Sequence, residues 1–226
     1  MIENLTNIDE YIFRAINSSG WITMDSIMIL ISSKWLWIPL YLFIIYNIYK
    51  KFSDQTLKIL FSIGFLIFLA DFGSVHLFKE VFERIRPCHN LEGIRIVDGC
   101  GGPYGFISSH ASNSFAIAFF ISLLFRNKIG FACLFSWAIL IGFSRIYLGV
   151  HYPFDILGGM FWGLFVSLLV YYIYKMKIMN LDKIWLLWVL LVAIWNFGWP
   201  DVPAIADVIV AIILSIFVMI LKKRKK

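Results

Sequence analysis

Charge is scarce in this chain. Asp, Glu, Lys and Arg make up 15% of its 226 residues, against about 25% in a soluble domain. That shortage argues against a water-soluble protein. With 61% hydrophobic residues and a mean hydropathy of +0.82, the chain reads as an integral membrane protein with little mass outside the bilayer. A cleavable leader is not expected either. Glu3, Asp9 and Glu10 stand where a basic leading segment would be, and no apolar core there ends in small residues. Also missing are an internal repeat, a low-complexity linker, a carboxylate cluster and a Cys/His spacing suited to a metal. The expectation is a single domain over 1–226 with no metal or cofactor.

Aromatic residues are plentiful: 22 Phe, 10 Tyr and 9 Trp. They suit a lipid-exposed helical bundle with interfacial rings. The fold class expected is an all-α polytopic bundle of about six or seven spans, each near 20 apolar residues. The candidates are 26–49 (broken by Lys34 and Pro39), 57–78, 110–125, 129–148, 154–174, 184–199 and 203–221. A catalytic core is expected over about 57–175, with extra C-terminal spans over about 184–221. Residues 8–18 read as an amphipathic helix lying in the interface, with Ile8, Ile12, Phe13 and Ile16 on one side. The span 110–125 is short for a full crossing.

The net charge of +6 does not point to nucleic acid. Lys50, Lys51 and Lys58, Arg126 and Lys128, Lys175, Lys177 and Lys183, and the tail from Lys222 hold 13 of the 20 Lys and Arg residues. With seven spans all four groups fall on one side, which the positive-inside rule makes cytoplasmic. The N-terminus, the loop 79–109 and the turn 145–155 then face outward.

Three polar stretches interrupt the apolar pattern: Lys79–Pro87 (KEVFERIRP), Ile107–His110 (ISSH) and Ser144–Asp155 (SRIYLGVHYPFD). Lys79 and Arg86 are seven residues apart, two helical turns, so they share a face if the helix continues to Pro87. Ser108 is a candidate N-cap, which would aim the free N–H groups of the next helix outward, a site that attracts anions. His151 and Asp155 are four apart and meet on one helical face if a helix starts near Pro153. An aspartate beside an imidazole fixes its tautomer and stabilises the cation formed when the other nitrogen attacks.

Taken together, the stretches resemble the signature of the type-2 phosphatidic acid phosphatase and haloperoxidase family: Lys-x6-Arg-Pro, then Pro-Ser-Gly-His, then Ser-Arg-x5-His-x3-Asp. The first block is complete as Lys79, Arg86 and Pro87, and the third as Ser144, Arg145, His151 and Asp155. The middle block departs from the pattern, with Ile107 for proline and Ser109 for glycine, while Ser108 and His110 match. The resemblance covers about 79–155. The haloperoxidase branch, being soluble, fits poorly, and the membrane lipid phosphatase branch fits well.

The resemblance implies that His151 attacks phosphorus, Asp155 orients it, and His110 protonates the leaving oxygen and then helps water attack. It also implies that Lys79, Arg86, Arg145, Ser108 and the N–H of Ser109 hold the phosphoryl oxygens without a metal. The expected partners are a lipid phosphate substrate and the bilayer. The expected location is a bacterial cytoplasmic membrane, with the site extracytoplasmic and the C-terminus cytoplasmic. Undecaprenyl diphosphate is the first substrate expectation, followed by phosphatidylglycerol phosphate, phosphatidic acid and lipid A phosphates. A lipid phosphotransferase would share the chemistry. A non-enzymatic lipid or anion transporter would need no particular role for His151. Asp71 and His76 are expected to support the site, His76 by sharing the Lys79 network. Cys88 and Cys100 are a possible disulfide closing the loop between the first two blocks. Cys133, inside a span, and the Gly159–Gly163 step are expected to serve packing.

Overall fold

The chain falls into two compact units, Met1–Tyr174 and Lys175–Lys226. The computed structural model describes residues 2–176, so the expected spans at 184–199 and 203–221 lie outside the described residues. The described residues form seven substantial helices: α1 Ile2–Ser18, α2 Ile22–Ser32, α3 Ile38–Lys51, α4 Thr56–Gly73, α5 Ser109–Phe125, α6 Lys128–Tyr147 and α7 Pro153–Lys175. Among the described residues there is no strand, only an isolated antiparallel bridge between Ile85 and Tyr104.

Three helical runs are long and apolar enough to cross a membrane: Ser53–Phe82, Lys128–Tyr147 and Pro153–Lys175. The pair α2 and Lys34–Lys51 is long and apolar enough as well, but it is bent by 62°, the shape of a broken span or a re-entrant loop. The bend has a local cause. Ser33 leaves helical geometry (ψ 131°), its hydroxyl accepts the Trp35 N–H, and a tight turn over Lys34–Trp37 precedes Pro39.

The short apolar helix α5 lies at the centre. Ala111, Ser112, Ser114, Phe115, Ala116, Ala118 and Phe120 are all buried. A helix surrounded by protein need not match the bilayer thickness, which accounts for its 17 residues. Helices in lipid gain little from hydrophobic burial against each other and pack through small residues and interhelical hydrogen bonds. Both are present. A Cβ on Gly159 would lie 2.8 Å from the Ser108 carbonyl, and one on Gly163 2.7 Å from that of Ser112. The Gly159–Gly163 step is therefore where α7 seats on α5. Ser112 Oγ donates to the Ala70 carbonyl (3.0 Å) and Ser167 Oγ to that of Ala116 (2.8 Å), tying α5 to α4 and α7 to α5.

Two expectations need correction here. In α1 the four expected apolar residues do not share one environment: Phe13 is buried with Asp9 and Asn17 (0%, 0% and 2% exposed) and Ile16 packs against the core, while Ile8 and Ile12 point outward, as an interfacial helix allows. A helix can bury polar groups when each finds a partner, and Asn17 does: its amide donates to the Arg95 and Tyr147 carbonyls at 2.8 and 2.9 Å. Cys133 is exposed on α6 rather than packed.

Candidate active site

Lys79 closes the long helix from the α4 end. A wider π turn spans Ser74–Lys79, and the helix stops at Phe82 because Glu83 adopts φ 45°, the left-handed conformation that breaks a helical run. Arg86 is therefore not on the Lys79 helix, contrary to the two-turn reading. It sits in extended backbone (ψ 153°), and Pro87 begins a short turn, Pro87–Asn90, rather than ending a helix. The Arg84–Arg86 segment is clamped to the glycine-rich loop. The Arg86 N–H donates to the Pro103 carbonyl (2.9 Å) and the Gly105 N–H to that of Arg84 (2.8 Å). The Arg86 side chain donates to the Tyr104 carbonyl (3.1 Å) and lies 3.4 Å from His151 Nε2.

Ser108 caps α5: its hydroxyl accepts the Ala111 N–H at 3.5 Å, and its own N–H donates to the Asp155 carbonyl at 3.0 Å. Ser109 follows at the helix start, where its hydroxyl meets Lys79 Nζ at 2.7 Å and Ser74 Oγ at 2.6 Å. His110 opens onto a cavity. Arg145, in the last turn of α6, donates through Nη1 to Ser32 Oγ, and its buried Nε has no hydrogen-bond partner. Ser144 is buried and donates to the Ile141 carbonyl at 2.7 Å.

The chain turns at Gly149 (φ +87°), where any Cβ would lie 2.4 Å from the Arg95 carbonyl, and this turn carries His151 to the start of α7. His151 Nδ1 faces Asp155 Oδ2 at 3.2 Å, and the Tyr152 N–H also donates to Oδ2 at 3.0 Å. The Nδ1 contact leaves Nε2 directed at Arg86. Burial pushes the His151 pKa well below the ordinary 6.5, and the charges of Arg86, Arg145 and Lys79 push it further. The imidazole is thus held neutral, with Nε2 facing the Arg86 guanidinium, beside three cations. The geometry gathers Lys79, Arg86, Ser108, Ser109, His110, Arg145, His151 and Asp155 around one end of α5.

The cavity holds about 510 Å³ and runs along one face of α5, through Ser109, His110, Asn113, Ile117 and Ile121. That face begins polar and becomes purely apolar over 12 residues, about 18 Å of helix. Asp71 also lines it, accepting from the Asn113 amide at 3.3 Å, while Asn113 Oδ1 is buried without a partner.

A model of the PAP2 superfamily matches residues 55–179. The chain belongs to that superfamily. Two relatives are named as lipid A 4'-phosphatases. That of Porphyromonas gingivalis is 34% identical over 76% of this chain and 75% of its own length. That of Bacteroides thetaiotaomicron is 35% identical over 76% and 80%. Among solved structures, a PAP2-type phosphatidylglycerolphosphate phosphatase from Bacillus subtilis superposes with a TM-score of 0.57. It shares 26% identity over 78% of this chain and 89% of that one.

Within this PAP2 chain several side chains lie elsewhere than the sequence indicated. His76 pairs with Glu80 (2.9 Å) rather than with the Lys79 hydroxyl network. Cys88 and Cys100, by contrast, form the disulfide that the sequence suggested, with Cα atoms 6.0 Å apart. With His89 they are also the group among the described residues that could hold a metal ion, the ligand atoms lying within 4.8 Å of one another. That grouping, which spacing alone did not suggest, uses the same two sulfurs as the disulfide. Sequence reading also missed Arg84, which bridges Asp155 Oδ1 (2.8 Å) and Asp9 Oδ2 (2.6 Å). The clue available was the first arginine in KEVFERIRP, two residues before the matched one.

Proposed function

We propose that this membrane protein is a metal-independent lipid phosphatase that works through a phosphohistidine. One observation carries the reading: His151 is held neutral with Nε2 turned to the Arg86 guanidinium, among the charges of Lys79, Arg86 and Arg145, with an Arg145 N–H still unpaired. Buried cations without a counter-ion are costly, and a phosphoryl group supplies the missing charge.

In the first step His151 Nε2 forms a bond to phosphorus while the bond from phosphorus to the leaving oxygen breaks. His110, charged once the bound phosphate offsets the surrounding cations, gives that oxygen its proton. Asp155 accepts the Nδ1–H and stabilises the positive charge that develops on the ring. In the second step water attacks phosphorus, its proton passes to His110, and the N–P bond breaks to release phosphate. Lys79, Arg86, Arg145 and the first N–H groups of α5 hold the phosphoryl oxygens throughout. Ser108 contributes chiefly as the cap that aims those N–H groups.

His110 lines the cavity, so the leaving lipid belongs there. Its head group would sit against His110, Asp71 and Asn113 and its chain along Ile117 and Ile121. Among lipid phosphates we favour a phosphorylated glycolipid of the lipid A type over undecaprenyl diphosphate. The relatives that are 34% and 35% identical carry the lipid A name. Asn113 and Asp71 also offer hydrogen-bond acceptors that a sugar hydroxyl or amide can use, which a prenyl chain cannot. The site would open at the outer leaflet of a bacterial cytoplasmic membrane, with the basic loops on the inner side.

The test is phosphate release by purified protein in excess EDTA from a panel: lipid A 4'-phosphate, undecaprenyl diphosphate, phosphatidylglycerol phosphate and phosphatidic acid. Release that survives EDTA and vanishes in His151→Ala is expected, fastest with the glycolipid. Equal release by the variant would overturn the mechanism. A phosphorylated acceptor lipid in place of free phosphate would reassign the second step to phosphotransfer.

A further inference from the structure

The family signature leaves the buried charge of Asp9, and the arginine it shares with Asp155, unexplained. Asp9, on α1, and Asp155, on α7, are both fully buried, and a single guanidinium stands between them. Arg84 Nη1 donates to Asp155 Oδ1 at 2.8 Å and Nη2 to Asp9 Oδ2 at 2.6 Å. Its guanidinium carbon lies 4.2 Å from the centre of the Tyr152 ring, so the plane is fixed on a third side. The other oxygen of Asp9 accepts the Phe154 N–H at 2.8 Å, in the first turn of the helix that bears Asp155. Phe13, one turn after Asp9, packs on the same Tyr152 ring with centroids 5.5 Å apart.

We infer that Asp9 and Arg84 are positioning residues for the histidine nucleophile, which makes helix α1 part of the catalytic apparatus. The inference rests on the phosphohistidine reading above. Asp155 has two oxygens. Oδ2 is taken up by His151 Nδ1 and the Tyr152 N–H. Oδ1 is held by Arg84, which fixes the rotation of the carboxylate and so the direction of Nε2. A catalytic group displaced by about 1 Å can lose 10²-fold in rate.

Arg84 alone would also neutralise Asp155 and weaken its hold on the imidazolium. Asp9 shares the guanidinium, so the group of three keeps one net negative charge facing His151. Burial raises the Asp9 pKa while the Arg84 hydrogen bond and the Phe154 N–H lower it, which ties Asp9 ionisation to the bridge. Other charges near Arg84 do not replace this arrangement. Glu10, the next residue on α1, is already paired with Arg14 at 2.8 Å.

The experiment compares wild type, Arg84→Met, Arg84→Lys, Asp9→Asn, the Asp9→Asn/Arg84→Met pair and His151→Ala. Each is measured for phosphate release, and each active-site concentration is taken from a single-turnover burst. Arg84→Met is expected to lower kcat about 10- to 100-fold with KM within about threefold, a range typical of groups that orient a reacting ligand. Asp9→Asn should lower kcat about 3- to 30-fold, Arg84→Lys should recover part of the Met loss, and the pair should be no slower than Arg84→Met alone.

A purely structural role would reduce the burst concentration and leave kcat per active site unchanged, which overturns the inference. So would additive losses in the pair. If Arg84→Met does not fold, Asp9→Asn, nearly identical in shape, decides on the same criterion. Wild type that is active, with an inactive His151→Ala and a normal kcat in both Asp9→Asn and Arg84→Met, refutes the positioning role and leaves the phosphatase reading standing. Wild type without release, or His151→Ala equal to it, removes both.

Discussion

Lys79 donates to the hydroxyl of Ser109 at 2.7 Å, joining the end of the α4 run to the first residue of α5. Ser109 stands where the family pattern has glycine, and Ser74 Oγ meets the same hydroxyl at 2.6 Å. The departure thus adds a tether on Lys79, the cation proposed to bind phosphate. A hydrogen bond to a charged group at a partly exposed site is worth about 1 kcal/mol, about fivefold in binding. Ser109→Ala is expected to raise KM about three- to tenfold and keep kcat within about twofold. Lys79→Met, which removes the charge itself, should cost at least about 100-fold in kcat/KM. Steady-state kinetics on one lipid substrate checks both, and an unchanged KM in Ser109→Ala would show the tether is idle.

Much of the site was legible because its signals are local. His151 and Asp155 meet through a four-residue helical step that any helix starting at Pro153 provides. Ser108 was readable as a cap because a serine stood between a glycine-rich loop and an apolar run. What was not legible depends on distant chain. Arg84 finds Asp9 across 75 residues and Asp155 across 71. The apolar pattern of α1 grouped Ile8, Ile12, Phe13 and Ile16, but Phe13 and Ile16 pack into the protein beside Asp9 and Asn17 while Ile8 and Ile12 stay outside. Lys79 and Arg86 were placed together for the wrong reason. The helix breaks at Glu83, and the pairing of Arg86 with the 103–105 loop, which no periodicity encodes, brings it to His151.

In the first step His110 should matter only where the leaving oxygen needs a proton. General acid catalysis supplies about 10²- to 10⁴-fold, so His110→Gln is expected to lose that much in kcat on a lipid phosphate. With a nitrophenyl phosphate, whose leaving group departs unaided, the first step should survive. A burst near one nitrophenolate per active site, followed by slow turnover, would be seen by stopped flow. No burst would mean His110 is needed for the attack itself.

The depressed His151 pKa makes stability depend on pH in one direction. The unfolded chain binds the His151 proton near the ordinary 6.5, and the folded chain does so only at a much lower pH. Below pH 6.5 the unfolded state therefore holds more protons, and stability falls as the solution is acidified, by up to about 1.4 kcal/mol per unit. His151→Gln lacks this term. Thermal melts of both proteins in the same detergent from pH 7.5 to 5 should converge as pH drops, with wild type losing more. Parallel curves would show that His151 is not held neutral.

The Cys88–Cys100 bridge closes a loop of 12 residues between the first two blocks. Constraining a loop of that size removes about 3 kcal/mol of unfolded-chain entropy. Cys88→Ser/Cys100→Ser is expected to melt several degrees lower than wild type under oxidising conditions, and to equal wild type in reductant. Labelling both thiols in unreduced native protein would show the bridge does not form.

The cavity along α5 gives a prediction that separates chain binding from chemistry. Ile117 and Ile121 lie two and three turns below His110, beyond the polar stretch and far from phosphorus. A larger side chain at Ile117 would fill the space assigned to the acyl chain and leave the cation cluster untouched. Ile117→Trp is therefore expected to raise KM about tenfold or more for long-chain lipid phosphates. Activity on a short-chain, water-soluble phosphate ester should stay within about twofold, because one extra turn of buried chain contact is worth ~1–3 kcal/mol and the short ester never makes it. A uniform loss on both substrates would mean that the α5 helix had shifted and carried His110 with it. An unchanged KM on both would place the lipid chain outside the cavity, between helices that face the bilayer directly.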